Sequence, residues 1–169
     1  MRRTLLFALV GFLVPAIVAL LVLGARSDEG GAEEGLEQFD NVNFPFQFLY
    51  PEEFSAASAQ GDVPALSLDG PNAITVQRIE PPVPEDQLTG YVAQLLVDAG
   101  ATPNNVRRSR LEMITARVPR DLGGAPAESV LYFFTARGGT FQLDCQFTDD
   151  RRREVVSACR KATNTIELE

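Results

Sequence analysis

The chain has 169 residues, room for one domain and an appendage, and its 45% apolar and 22% charged residues suit a globular protein. It holds no His and no Trp but 11 Phe and 3 Tyr, enough aromatics for a real core. Its net charge of -8, with three of its arginines flanking the first apolar run, repels nucleic acid and anionic headgroups, so no nucleic-acid partner is expected despite Arg151-Arg152-Arg153.

The chain opens MRRTLLFALVGFLVPAIVALLVLGARS. Residues 4–24 are uncharged, and as a helix rising about 1.5 Å per residue they would span roughly 31 Å, near the thickness of a bilayer's hydrocarbon core. A secretory h-region is usually only about 7–15 residues long, so length favours an uncleaved signal anchor over residues 1–26. Pro15 is tolerable there as a kink. The alternative is a cleaved signal, with small residues at Leu23-Gly24-Ala25 near a cut. Either way the remainder is sent across the membrane. Arg2 and Arg3 favour a cytoplasmic amino terminus, a bias that Arg26 weakens. No Cys follows the apolar run, so a lipid-anchored form is not expected. SDEGGAEEGLEQFD follows, acidic and Gly-rich, and residues 27–38 read as a flexible tether.

From residue 39 the apolar period switches between strand and helix spacing. In FPFQFLYP, Phe44, Phe46, Phe48 and Tyr50 fall on one side of a strand that Pro51 ends. Pro45 cannot donate to a ladder, so the start of that strand must be an edge or unpaired. Leu66 and Leu68 form a short alternating piece, and Asp69-Gly70-Pro71-Asn72 turns the chain into 73–79, with Ile74 and Val76 inward. Pro81, Pro82 and Pro84 then exclude a strand.

Leu88, Tyr91, Val92, Leu95, Leu96 and Ala99 recur at helical spacing, predicting a helix over 86–99 with Asp86 as N-cap and Gly100 as stop. This stripe reads as a core face. A long, Arg-studded strand is predicted over 106–118, with Leu111 and Met113 on one side. Leu122-Gly123-Gly124-Ala125-Pro126 reads as a loop, and no phosphate-binding motif surrounds it. Residues 129–136, SVLYFFTA, are apolar on both faces, as in a strand covered from two sides. Gly138-Gly139 is read as the two-residue turn into a last strand over 140–147.

Within FQLDCQFTDDRRREVVSACRK lie the only two cysteines. Phe141, Leu143, Cys145 and Phe147 alternate, so Cys145 points with the aromatics toward the core. A helix over 149–163, opened by Thr148-Asp149-Asp150, places Arg152, Val155, Val156, Cys159, Ala162 and Thr163 on one stripe. A metal site needs about four ligands, and no His is present. A redox pair is usually Cys-x-x-Cys, and thirteen residues intervene here. An exported domain with an even Cys count favours a structural disulfide between Cys145 and Cys159, closing a loop worth about 3 kcal/mol in the chain-entropy treatment.

The stretches FPFQFLYPEEF and TFQLDCQFTDDRRREVVSACRKATNTIEL, and the order strand, hairpin, helix, strand, hairpin, helix, resemble the PsbP/Mog1-like superfamily over residues 39–168. The closing stretch is similar to exported actinobacterial members, which end with a strand Cys, a charged helix and a helix Cys. The resemblance implies an antiparallel sheet with helices on both faces and a non-catalytic binding or assembly role. Phe54 stands where many relatives carry Trp. The metal-related histidines of the photosystem-associated members have no counterpart, so the resemblance brings no metal or cofactor.

Catalysis has little to work with. Acid–base chemistry most often uses His, Ser109, Ser129 and Ser157 lack a His partner, and no Gly-x-Ser-x-Gly elbow occurs. Asp149 and Asp150 are neighbours in sequence and do not face each other on a helix. They read as capping groups. Arg107, Arg108 and Arg110 are candidates for binding a partner's carboxylates or phosphates, set against a plain solvated face.

The expected fold is therefore an α/β (α+β) sandwich, a mostly antiparallel sheet of five to seven strands over residues 39–169. The expected function is a membrane-tethered, extracytoplasmic, non-catalytic interaction domain. Its partner is an envelope protein or a small ligand, and it uses no cofactor. The alternatives are an envelope or secreted hydrolase using a carboxylate pair, and the same domain released after signal cleavage.

Overall fold

The computed structural model describes residues 35–58, 63–97, 99–108, 110–122 and 124–169, with side chains described for all of these except 105–108 and 122. The apolar run at 4–24 lies outside the described residues. Among them, no helix is long and apolar enough to cross a membrane.

Among the described residues, ten strands and two helices follow in the order β1 (Leu36–Phe39), β2 (Phe46–Pro51), β3 (Ser55–Ser58), β4 (Pro64–Asp69), β5 (Asn72–Ile79), α1 (Glu85–Leu95), β6 (Asn104–Arg108), β7 (Leu111–Leu122), β8 (Ala125–Ala136), β9 (Gly139–Thr148), α2 (Arg152–Asn164) and β10 (Glu167–Leu168). Seven strands form one sheet in the order β3-β4-β5-β9-β8-β7-β6, and β1-β2-β10 form a second. Every pairing is antiparallel. β1 starts at Leu36, among residues that the sequence reading assigned to the tether.

Alternation along the central strands sorts their side chains onto two faces. Val130, Tyr132 and Phe134 of β8 and Phe141, Leu143, Cys145 and Phe147 of β9 join a core shared with β2 and α2. Leu131 and Phe133 face the other way, onto Leu88, Val92 and Leu96 around α1. β8 is thus covered from both sides, as its unbroken apolar run predicts.

Phe44, Phe46, Phe48 and Tyr50 are all buried, as the alternation of FPFQFLYP predicts. Phe46 meets Phe134 and Phe141 edge-on, both at 5.1 Å between ring centroids, an arrangement that brings a positive ring edge to a negative face. Pro45 precedes β2, while its carbonyl accepts from the Glu169 N–H at 3.2 Å.

Four local expectations need correction. The predicted strand over 106–118 is two strands: β6 and β7 pair with Arg108 opposite Leu111, so the chain reverses between them. The predicted loop at 122–126 is a tight hairpin, with Leu122 opposite Ala125. Between β8 and β9, Ala136 pairs with Gly139, so the turn is Arg137-Gly138, one residue earlier than expected. Both turn residues have positive φ, 44° and 75°, as the twist of a two-residue hairpin demands. Gly139 is needed for another reason: a Cβ there would lie 2.7 Å from the Phe141 ring. Finally, α1 ends at Leu95 rather than Ala99, and Pro84, not Asp86, occupies its N-cap. Tyr91 and Leu95, expected in the core stripe, are 37% and 51% exposed. The helix is too short to wrap its apolar residues around the sheet.

Candidate functional site

The residues that close the chain build its most elaborate region. β9 leaves the sheet at Thr148, passes through a single 3-10 turn over Asp149–Arg151 and enters α2. No side chain caps the start of α2. Instead Arg152 donates to Asp149 at 3.1 Å and contacts Glu128 of β8 at 3.0 Å, with its guanidinium 5.4 Å from the Phe147 ring centroid. The hydrogen bond to Asp149, and then that to Glu128, raise the Arg152 pKa. Arg151 reaches back to Asp69 on β4 at 2.8 Å. The charged run that opens the helix therefore ties it across the strands beneath.

Cys145 and Cys159 meet as the sequence predicts. They are disulfide-bonded, with Cα atoms 6.2 Å apart, and both are buried. Cys145 sits on β9 between Ile74 of β5 and Val130 of β8. Cys159 follows Val155 and Ala158 on the buried side of α2, with Ala162 and Thr163 after it. The bond holds the last helix to the middle of the sheet.

Arg107 and Arg108 lie on β6, the outermost strand at one end of the seven-stranded sheet, opposite Glu112 and Leu111. Arg110 is exposed in the turn that follows. The three are thus close along one sheet edge, separate from the disulfide. Arg and charge at an edge also discourage pairing with another chain's strand.

Sequence reasoning missed two groupings. One is a cavity of about 470 Å³ bounded by β7, β8, α2 and the stretch before β6, with Arg117 and Arg160 in its wall. No local pattern marks it, since its residues are scattered from Gly100 to Arg160 along the chain. The other is Asp144 on β9, whose side chain points away from the disulfide. Arg120 contacts it at 3.3 Å and also donates to Ser129 at 3.2 Å. Burial raises the Asp144 pKa, against the opposing pull of the Ser129 and Arg120 contacts, and its Oδ1 is buried without a hydrogen-bond partner. A lone Asp between Leu143 and Cys145 carries no sequence signal of this kind. Among the described residues, no three His, Cys, Asp or Glu side chains gather as metal ligands would.

No family model matches the chain, and no curated protein does. Solved structures do. A crystal structure from Bacteroides thetaiotaomicron VPI-5482 is similar at a TM-score of 0.62 and 9% identity over 80% of this chain, and the chain spans about half, 49%, of that protein's length. The cyanobacterial PsbP (CyanoP) from Synechocystis sp. PCC 6803 is similar at 0.54 and 15% identity, over 86% of this chain and 99% of that one. LpqN, involved in cell envelope biogenesis of Mycobacterium tuberculosis, aligns at 0.48 and 9% identity, over 85% and 87% of the two chains. At such identities the likeness speaks for the fold alone, which this chain shares with the cyanobacterial PsbP.

Proposed function

We propose that this protein is an extracytoplasmic, non-catalytic interaction domain, held at the cell membrane by residues 4–24 and carried on the acidic tether that follows. The observation that supports this most is the disulfide between β9 and α2. Bonds of that kind persist in oxidising compartments and are rare where thiols are kept reduced. The length of the apolar run and Arg2 and Arg3 before it point to the same side of the membrane. The stretch of nine residues, 27–35, that precedes β1 would give, as a flexible tether, a reach of about 15–18 Å root-mean-square, suited to capturing an envelope partner. The PsbP/Mog1-like fold is compatible with a binding role but does not by itself assign one. Arg107, Arg108 and Arg110 at the sheet edge are the proposed protein-facing residues.

The test is topological. With a tag at the carboxyl end, protease added to intact cells should remove the tag, and non-reducing mass spectrometry of the same protein should recover a peptide pair linking Cys145 and Cys159. A tag that survives until the membrane is broken, together with two alkylatable thiols, places the domain inside and ends this reading.

A further inference from the structure

Most described arginines that meet a carboxylate are held closely: Arg78 by Glu80 at 2.8 Å, Arg120 by Asp144 at 3.3 Å, Arg151 by Asp69 at 2.8 Å and Arg152 by Glu128 at 3.0 Å. The cavity beside α2 departs from that pattern. Both of its guanidiniums are under-used. Arg160 makes no ion pair among the described residues, and Arg117 has only Glu128, at 3.7 Å, longer than the contact just given for each of those four arginines. No carboxylate lines the cavity among the described residues, although the chain as a whole carries a net charge of -8.

Neutral donors add to the two cations. Tyr132 is only 8% exposed, and its hydroxyl has no hydrogen-bond partner among the described residues. The hydroxyl is not one of the buried polar atoms left without a partner, so it opens to solvent in the cavity, where a bound molecule can take the place of water. Thr115 opposes Tyr132 across the β7–β8 ladder and lines the same cavity. Val130 and Val156 supply apolar surface from the sheet and from α2. At about 470 Å³ the space is within the roughly 300–1,000 Å³ common for small-molecule sites.

We propose that this cavity is a binding site for a small organic oxyanion. Arg117 and Arg160 hold its carboxylate or phosphate, Tyr132 and Thr115 hydrogen-bond the head group, and Val130 and Val156 contact an apolar body. The net negative charge of the domain does not prevent this, because screening at physiological salt limits exposed distant charges to within about 8 Å, while the two arginines act at contact. Cys159 lies in the cavity wall, so the disulfide that fixes α2 also fixes the spacing between Arg160 and the sheet. The assignment rests on the non-catalytic binding role proposed above and names the ligand class for it.

Titration calorimetry on the full chain in a neutral detergent tests the site, with phenyl phosphate and phenylacetate as probes and benzyl alcohol as the uncharged comparison. The expected result is saturable binding of at least one anionic probe and none of benzyl alcohol, and the tighter of the two anions identifies the head group. Arg160→Gln and Arg117→Gln should each weaken that binding about tenfold or more, as loss of a charged hydrogen bond does. Arg153→Gln removes the same charge from an exposed position of α2 outside the cavity and should change it less than twofold. Absence of saturable binding at millimolar probe, or equal weakening by Arg153→Gln, overturns the site. Release of phenol from phenyl phosphate that Arg117→Gln and Arg160→Gln abolish would overturn the non-catalytic reading and leave the cavity assignment standing.

Discussion

α1 and α2 cover opposite faces of one sheet, yet they hold it in different ways. α1 buries Leu88 and Val92, with Leu96 just beyond its end, against Ile114, Ala116, Val118, Leu131 and Phe133, and leaves Tyr91 and Leu95 outside. α2 buries Val155, Ala158, Cys159, Ala162 and Thr163 against a core that holds most of the protein's buried phenylalanines. It is also tied by the disulfide and by Arg151 and Arg152 to β4 and β8. The second sheet, β1-β2-β10, adds Phe39, Phe46 and Phe48 to that same core. Stability is therefore concentrated on the α2 face, and the α1 face is the region where local opening costs less.

The largest effect expected from breaking this asymmetry is in the aromatic core. Phe134→Ala removes a fully buried ring that packs on Phe46 and Phe141, and about 3–5 kcal/mol should be lost. Val92→Ala, equally buried on the α1 face, should cost clearly less, about 1–2 kcal/mol, because only two methyl groups are removed. Urea unfolding of the two variants measures the difference. Equal losses would mean that the faces contribute alike.

Next in size is the disulfide. Cys159→Ser should lose up to about 3 kcal/mol, the loop-closure value for a loop of this size, less whatever native packing the hydroxyl keeps. The loss should appear as faster hydrogen exchange in α2, with α1 little changed. Uniform loss of protection across both helices would show that the staple supports the whole domain rather than one face.

The smallest effect concerns Asp144, on the less reinforced side of the sheet. Its folded pKa lies above the ordinary 3.8, chiefly through burial. The folded state therefore holds this proton more tightly than the unfolded chain does. That contribution is fully present below the ordinary value and is lost as pH rises through the folded one. Asp144→Asn should remove this component, so the variant should gain on the wild type as pH rises from about 3.8 toward neutrality. Thermal unfolding at several pH values measures it. A wild type that instead gained on the variant over that range would show that the Arg120 contact outweighs burial.

Much of the architecture was legible where one residue's surroundings follow from its neighbours in sequence. Alternation placed Phe46, Phe48, Ile74, Val76, Leu143 and Cys145 inward, and the unbroken run SVLYFFTA identified the strand covered on both faces. The pairing of Cys145 with Cys159 was readable because consecutive elements point both sulfurs at one interface. Where the reading failed, the deciding interaction was not local. The period of 106–118 was compatible with one strand or a hairpin, and only pairing with β8 selected β7 as the long partner. The stripe Leu88-Tyr91-Val92-Leu95-Leu96 was apolar enough for a wide buried face, but the short helix that forms, ending at Leu95, buries only Leu88 and Val92 and leaves Tyr91 and Leu95 in solvent.

The candidate cavity divides along the same line. Sequence by itself determined the chain's acidity, its single pair of cysteines and the strand and helix on which they stand, because these depend on composition and on periods of two and three-to-four residues. It could not place Arg117 next to Arg160, 43 positions later in the chain. Only the antiparallel register of β7 on β8, and the seat of α2 against β9, brought Arg117 of β7 and Arg160 of α2 to one cavity that Tyr132 of β8 also lines. Charge is a property of each residue, whereas which charges go uncompensated is decided by the neighbours that the fold supplies.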